Sequence, residues 1–159
     1  MDSSLGADTH DLAILAVLQD DANLPVAQIA ERVHLSQNAC WRRIKRLEED
    51  GFILKRVALL NPMKLRAGVT VFVSIKAAEH SDEWVEALTA AVRRLPEVVE
   101  FHRMSGDTDY LLKILVEDIA AYDRVYRRLI KAVRLSDVSS AFAMEELKYT
   151  TAIPLPGRG

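Results

Sequence analysis

Residues 24–51, LPVAQIAERVHLSQNACWRRIKRLEEDG, constrain the fold of this chain more than any other stretch. Pro25 suits the first position of a short helix, where no N–H is needed. Ile29 and Val33 follow on one face. Val33, His34 and Leu35 make a tight turn, and Ser36 offers a hydroxyl to cap the next helix. Within that helix Cys40, Ile44 and Leu47 recur at spacings of four and three and so share a face. Asn38, Arg42, Lys45 and Glu49 fall opposite. Gln37 and Trp41 lie on one flank, and Ala39, Arg43 and Arg46 on the other. Gly51 ends the helix. Two short helices joined by a tight turn, the second basic, outline a helix-turn-helix. In that motif the second helix enters the major groove of DNA.

Bulk charge does not point the same way. The net charge is −2, and residues 1–60 hold 7 Lys/Arg against 9 Asp/Glu. The signal is local: Arg42, Arg43, Lys45 and Arg46 crowd one helix, and Lys55 and Arg56 follow it. Local clustering is what phosphate neutralisation requires. The N-terminal half of a groove helix reaches base edges, so Gln37, Asn38 and Arg42 are the candidates for base reading. Arg43, Lys45, Arg46 and the Ser36 hydroxyl are placed for phosphates. Trp41 suits either a half-buried flank or a DNA contact. Cys40 lies on the apolar face with no second cysteine, which makes it a core residue rather than a metal or redox centre.

Ahead of this motif a helix is expected from 9 to 18, with Asp8 as its N-cap and Asp11 three residues on. Leu12, Ile14, Leu15 and Leu18 form its apolar side. After the motif, residues 52–60, FILKRVALL, read as a strand, and Asn61-Pro62 as a break. A regular alternation follows. Strands are expected at 69–78, 98–104, 110–116 and 138–147, with helices from 82 to 95, capped by Ser81, and from 119 to 133. The polar loop 105–109 joins the second and third of these strands. The order βαββαβ is the ferredoxin-like arrangement. The expected fold is therefore α+β: a winged helix-turn-helix domain over 1–60 and a ferredoxin-like domain over 61–159. Apolar side chains at Val71, Val73, Ile75, Leu112, Ile114 and Phe142 suggest that subunits pack through the sheet.

Other function classes find little support. No apolar run approaches the roughly 20 residues that span a bilayer. The start, MDSSLGADTHD, is acidic and polar, unlike a secretory signal. A single cysteine among 159 residues suits a reducing compartment, and a cytoplasmic location is expected. The four histidines, His10, His34, His80 and His102, are scattered, with no pair at ligand spacing. No phosphate loop or nucleophile elbow is present. No enzyme activity, metal or cofactor is expected.

Four segments, LSQNACWRRIKRLEEDGFI, ALLNP, SGDTDYLLK and FAMEELKYT, occur in an order that resembles the Lrp/AsnC regulators (the leucine-responsive or feast/famine family). CWRRIKRLEEDG, FHRMSGDTDYLLK and LSDVSSAFAMEELKYTTAIP resemble most the branch that responds to cysteine. The resemblance implies a DNA-binding unit plus an effector domain called RAM, in dimers that commonly assemble into octamers. It implies a small amino acid bound between effector domains of neighbouring dimers. The matching loop is Ser105, Gly106, Asp107, Thr108, Asp109 and Tyr110. There Gly106 lets the backbone approach a ligand, Asp107 or Asp109 accepts from an α-ammonium, and loop N–H groups receive the α-carboxylate. Arg103 and Met104 lead into the loop, and Phe142 lines the same space. The alternative is a plain hairpin turn in which Asp109 accepts backbone N–H bonds. Two departures stand out. Ala39 occupies a position where the family often has Pro, and the run from Ala132 to Val138 lacks the usual Pro-Gly.

Overall fold

The computed structural model describes residues 6–79 and 81–156. Residues 1–5 and His80 lie outside the described residues. The chain divides into two compact units, with breaks after Leu59 and after Leu147. The stretch from Lys148 onward groups with the helices rather than with the sheet.

The helical unit is built from α1 (Thr9–Asp20), α2 (Val26–Arg32) and α3 (Gln37–Glu49). Asp8 caps α1 in a reciprocal box with Asp11, each side chain accepting the other's backbone N–H at 3.0 Å. Pro25 is the N-cap of α2 rather than its first helical residue, because its ψ of 144° is extended. No side chain caps that end. His34 takes a left-handed φ of 55° in the turn between α2 and α3, a conformation that costs a non-glycine residue about 1–2 kcal/mol. Ile14, Leu18, Ile29, Val33, Cys40, Ile44 and Leu47 form one core. Leu12 and Leu15 are only half-buried. The Gln19 side-chain amide pairs with the main chain of Ile153 in both directions, at 3.2 Å each, and so pins the C-terminal stretch to α1.

Residues 52–60 form no strand. The composition is β-like, but a strand exists only as a pair, and no strand among the described residues pairs with it. Leu54 is 91% exposed, and Val57, Leu59 and Leu60 are exposed too. No wing strands form among the described residues of this unit.

The second unit has the expected βαββαβ order: β1 (Val69–Ala77), α4 (Asp82–Arg93), β2 (Val98–Arg103), β3 (Tyr110–Val116), α5 (Ile119–Ala132) and β4 (Leu135–Phe142). The strands lie in the order β2-β3-β1-β4, antiparallel throughout. β4 starts and stops earlier than expected. Its partner β1 decides this, since Ala77 pairs with Leu135 and Val71 with Phe142. Val71, Val73, Ile75, Tyr110, Leu112 and Ile114 share a core with Trp84, Leu88, Val125 and Leu129 of α4 and α5. Each such side chain contributes about 1.5–3 kcal/mol relative to exposure. Val71, Val73, Ile75, Leu112 and Ile114 therefore face the chain's own helices, and Phe142 meets Tyr122 of α5 edge-on at 5.3 Å. The face left open carries the alternate residues, including Phe72, Leu111 and Leu115.

Candidate DNA interface and effector loop

α3 presents its functional side chains because three others are locked inward. Cys40 and Leu47 are fully buried and Ile44 nearly so. The Ser36 hydroxyl accepts the Ala39 N–H at 3.3 Å, a bond that proline at this position would forbid. At the other end Gly51 takes φ 78°, and its N–H bonds the Glu48 carbonyl at 3.2 Å. Gln37, Asn38, Trp41, Arg42, Lys45 and Arg46 are all exposed. Trp41 is 52% exposed, more open than a packed flank residue.

The basic residues fall into two groups. Arg42 has no hydrogen bond or ion pair with any other described residue. Lys45 bonds Glu48 at 3.0 Å, and Arg56 bonds the same carboxylate at 3.0 Å. The Lys45 hydrogen bond, against slight desolvation, holds the Glu48 carboxyl below its ordinary range. Such surface pairs are worth about 0–1 kcal/mol and yield readily to a phosphate. Arg43 and Arg46 are different. Arg43 reaches Asp8 at 2.7 Å and Asp11 at 2.8 Å, and Arg46 reaches the other Asp11 oxygen. Asp11 is fully buried. No sequence pattern announced that acid in the core. Its only signal was the capping position, which explains one of its oxygens and not the other.

Asp8 shares this network. Partial burial pushes its carboxyl up, but the Asp11 N–H, the Arg43 guanidinium and the His10 N–H outweigh it and hold it at about 2. A depressed carboxyl contributes stability that is fully present above its unfolded value near 3.9 and is lost as pH falls through the folded one. The helical unit should therefore loosen between about pH 4 and pH 2. Asp8→Asn should flatten that part of a pH–melting curve followed by circular dichroism. An unchanged curve would remove Asp8 from the acid response.

The second candidate region closes the β2–β3 hairpin. Arg103 pairs with Tyr110, and the Met104 N–H bonds the Asp109 carbonyl at 2.8 Å. Gly106 has φ 108°, open to glycine and strained for other residues, and a Cβ there would meet nothing within 4 Å. Conformation, not close approach, thus requires glycine in the isolated chain. Arg103, Met104, Ser105, Gly106 and Asp107 are exposed, Thr108 is half-buried and Tyr110 is buried. Asp109 is tied into the sheet: its carboxylate accepts the Ala77 N–H at 2.8 Å, and its own N–H bonds the Ile75 carbonyl at 3.0 Å. Asp109 thus accepts a backbone N–H as it would in a plain hairpin turn, and Asp107 is exposed. Phe142 is not brought to this loop within one chain. It pairs with Val71, whereas the loop joins the sheet at Ile75, four residues along β1, or roughly 13 Å. At the loop's end of the sheet Ala78, Glu79, Arg134, Leu135 and Ser136 line an open polar recess of about 610 Å³. The Trp84 indole N–H fixes the Arg134 carbonyl there at 2.7 Å. Glu79 and Arg134 were not foreseen, because nothing in the sequence ties 78–79 to 134–136 until β1 and β4 are paired.

No helix is long and apolar enough to cross a membrane among the described residues. Comparison with known proteins covers both units. The family model for the Lrp/AsnC ligand-binding domain matches residues 70–153, and one for a winged helix-turn-helix DNA-binding domain matches residues 8–53. The chain is 52% identical to a glutamate uptake regulatory protein of Zymomonas mobilis, over 94% of this chain and 91% of that one. A crystal structure of an AsnC family transcriptional regulator from Agrobacterium tumefaciens is 56% identical, with TM-score 0.89, over 92% and 96% of the two chains. A transcriptional regulator from Neisseria meningitidis, crystallised with L-Met, is 35% identical, also with TM-score 0.89, over 94% and 97%.

Proposed function

The chain belongs to the Lrp/AsnC family of DNA-binding transcriptional regulators with an amino-acid ligand domain, and from that premise we propose how its parts divide the work. α3 lies in the major groove, with Gln37, Asn38 and Arg42 at base edges and the Ser36 hydroxyl and Lys45 at phosphates of duplex DNA. The observation that carries this reading is the outward, unpaired Arg42 beside a Lys45 held only by a surface ion pair. The protein acts in the cytoplasm, where its DNA is.

The effector is a small amino acid, with cysteine the first candidate because of the branch resemblance. It binds at loop 105–110 between subunits, with Asp107 accepting from its ammonium and loop N–H groups receiving its carboxylate. The relative crystallised with L-Met supports an amino acid of this size. Phe142, distant from the loop in its own chain, comes to the site from a neighbouring subunit. The exposed Phe72, with Leu111 and Leu115, gives the sheet a face for dimer formation, and dimers assemble further into octamers. An effector alters DNA binding only through unequal affinity for two assembly states.

The test uses the full chain and a duplex selected from a randomised pool. Fluorescence anisotropy and light scattering are followed while cysteine, methionine, glutamate or leucine is added. One amino acid is expected to change both duplex affinity and assembly size in the same concentration range. A monomer at micromolar concentration, or no response to any amino acid, would refute the scheme.

A further inference from the structure

The flank of α3 that carries Arg43 and Arg46 is turned toward the protein's own acids. We propose that Asp11 is a positioning residue for DNA recognition: it sets the rotation of α3 about its axis and withdraws Arg43 and Arg46 from the phosphate-neutralising set. This rests on the reading of α3 as the groove helix.

Asp11 is fully buried, so its charge must be met by donors within the protein. One oxygen receives Arg43 at 2.8 Å, and the other receives Arg46 and the Asp8 N–H, the latter at 3.0 Å. Arg43 is also held by Asp8 at 2.7 Å. Two donors come from successive turns of α3 and the acceptor from the first turn of α1. On a helix, positions three apart sit about 60° from each other, so two such anchors to one carboxylate leave little freedom to roll. With that flank fixed, the outward arc is the one bearing Asn38, Trp41, Arg42 and Lys45. Trp41, 52% exposed, then faces outward in the N-terminal half of the helix, where apolar contact with thymine methyl groups is available. The two arginines add no free charge outside, because each is neutralised at short range. The clustered charge of the sequence thus overstates the charge available to DNA.

The experiment measures binding of the full chain to its selected duplex and to an unrelated duplex at several salt concentrations. The slope of log affinity against log salt counts phosphate contacts, at about 0.9 per contact. Lys45→Gln should make the slope shallower by about one. Arg46→Gln should reduce the preference for the selected duplex while leaving the slope on the unrelated duplex unchanged. Asp11→Asn should release one unit of guanidinium charge, since Asp8 still holds Arg43, steepen the slope by about one, and lower the preference at least tenfold. A slope that falls by about one in Arg46→Gln would place that residue on phosphate and overturn the proposal. So would an Asp11→Asn protein with a lower melting temperature but unchanged slope and preference, since the clamp would then only hold the fold. Should Asp11→Asn fail to fold, Arg46→Gln decides the matter alone. If no variant, Lys45→Gln included, alters either slope or preference, the groove reading of α3 fails and takes this inference with it.

Discussion

Arg42→Ala is expected to weaken binding to the selected duplex by about 1–3 kcal/mol, a factor of roughly 5 to 150, and to relax the preference at one base pair. The side chain is exposed and has no partner among the described residues, so its removal should leave the melting temperature unchanged. That separates it from its neighbours. Truncating Arg43 strips a buried acid of one of its donors and should cost stability first. Truncating Lys45 loses a weak surface pair and should weaken all duplexes alike. Anisotropy titrations on a panel of single-base variants of the duplex make the comparison. Unaltered affinity in a folded Arg42→Ala protein would mean that this arc of α3 does not meet the bases.

Asp109→Ala carries the other large effect, and it is a structural one. The carboxylate is the acceptor for the Ala77 N–H, and the Asp109 backbone bonds both Ile75 and Met104. Without it the end of β1 loses a charge-assisted bond worth about 1.5–3 kcal/mol. In a unit of this size that lowers the melting temperature on the order of 10 °C. Asp107→Ala should behave in the opposite way, because Asp107 is exposed at the loop tip. Its stability should match the parent, while the response of DNA binding to the amino acid should disappear. Calorimetric melting of the two variants with an amino-acid titration of each distinguishes the roles. A stable Asp109→Ala protein without ligand response would return Asp109 to the ligand site.

Much of the fold was legible because local rules and packing agreed. Ser36, the face formed by Cys40, Ile44 and Leu47, and Gly51 specify α3 from cap to terminus. β3 runs from Tyr110 to Val116, an apolar run broken only by Lys113 and bounded by the polar loop 105–109 and by Glu117-Asp118. The misreadings share one physical origin, the dependence of strands on partners. Residues 52–60 have β composition but no strand partner among the described residues. β4 is displaced because β1 sets its register. Alternation shows that a sheet has two faces but not which one the helices cover, so the apolar Val71, Val73 and Ile75 suggest a subunit contact from sequence alone, whereas they lie under α4 and α5. Among candidate site residues, charge clustering found α3 but not which charges were already spent. Only the burial of Asp11 separates Arg43 and Arg46 from Arg42.

The lone thiol of the chain lies at the centre of the helical core, with no exposed surface. Burial also pushes its pKa up, away from the reactive thiolate. A disulfide reagent in solvent therefore meets Cys40 only when α3 lifts from α1 and α2. The modification rate then reads how often the DNA-binding unit opens, independently of the sheet, which contains no cysteine. A duplex that binds only the closed form slows that chemistry by the factor through which it stabilises the unit, so occupancy of the groove helix becomes measurable as protection of a single sulfur atom without any label being introduced.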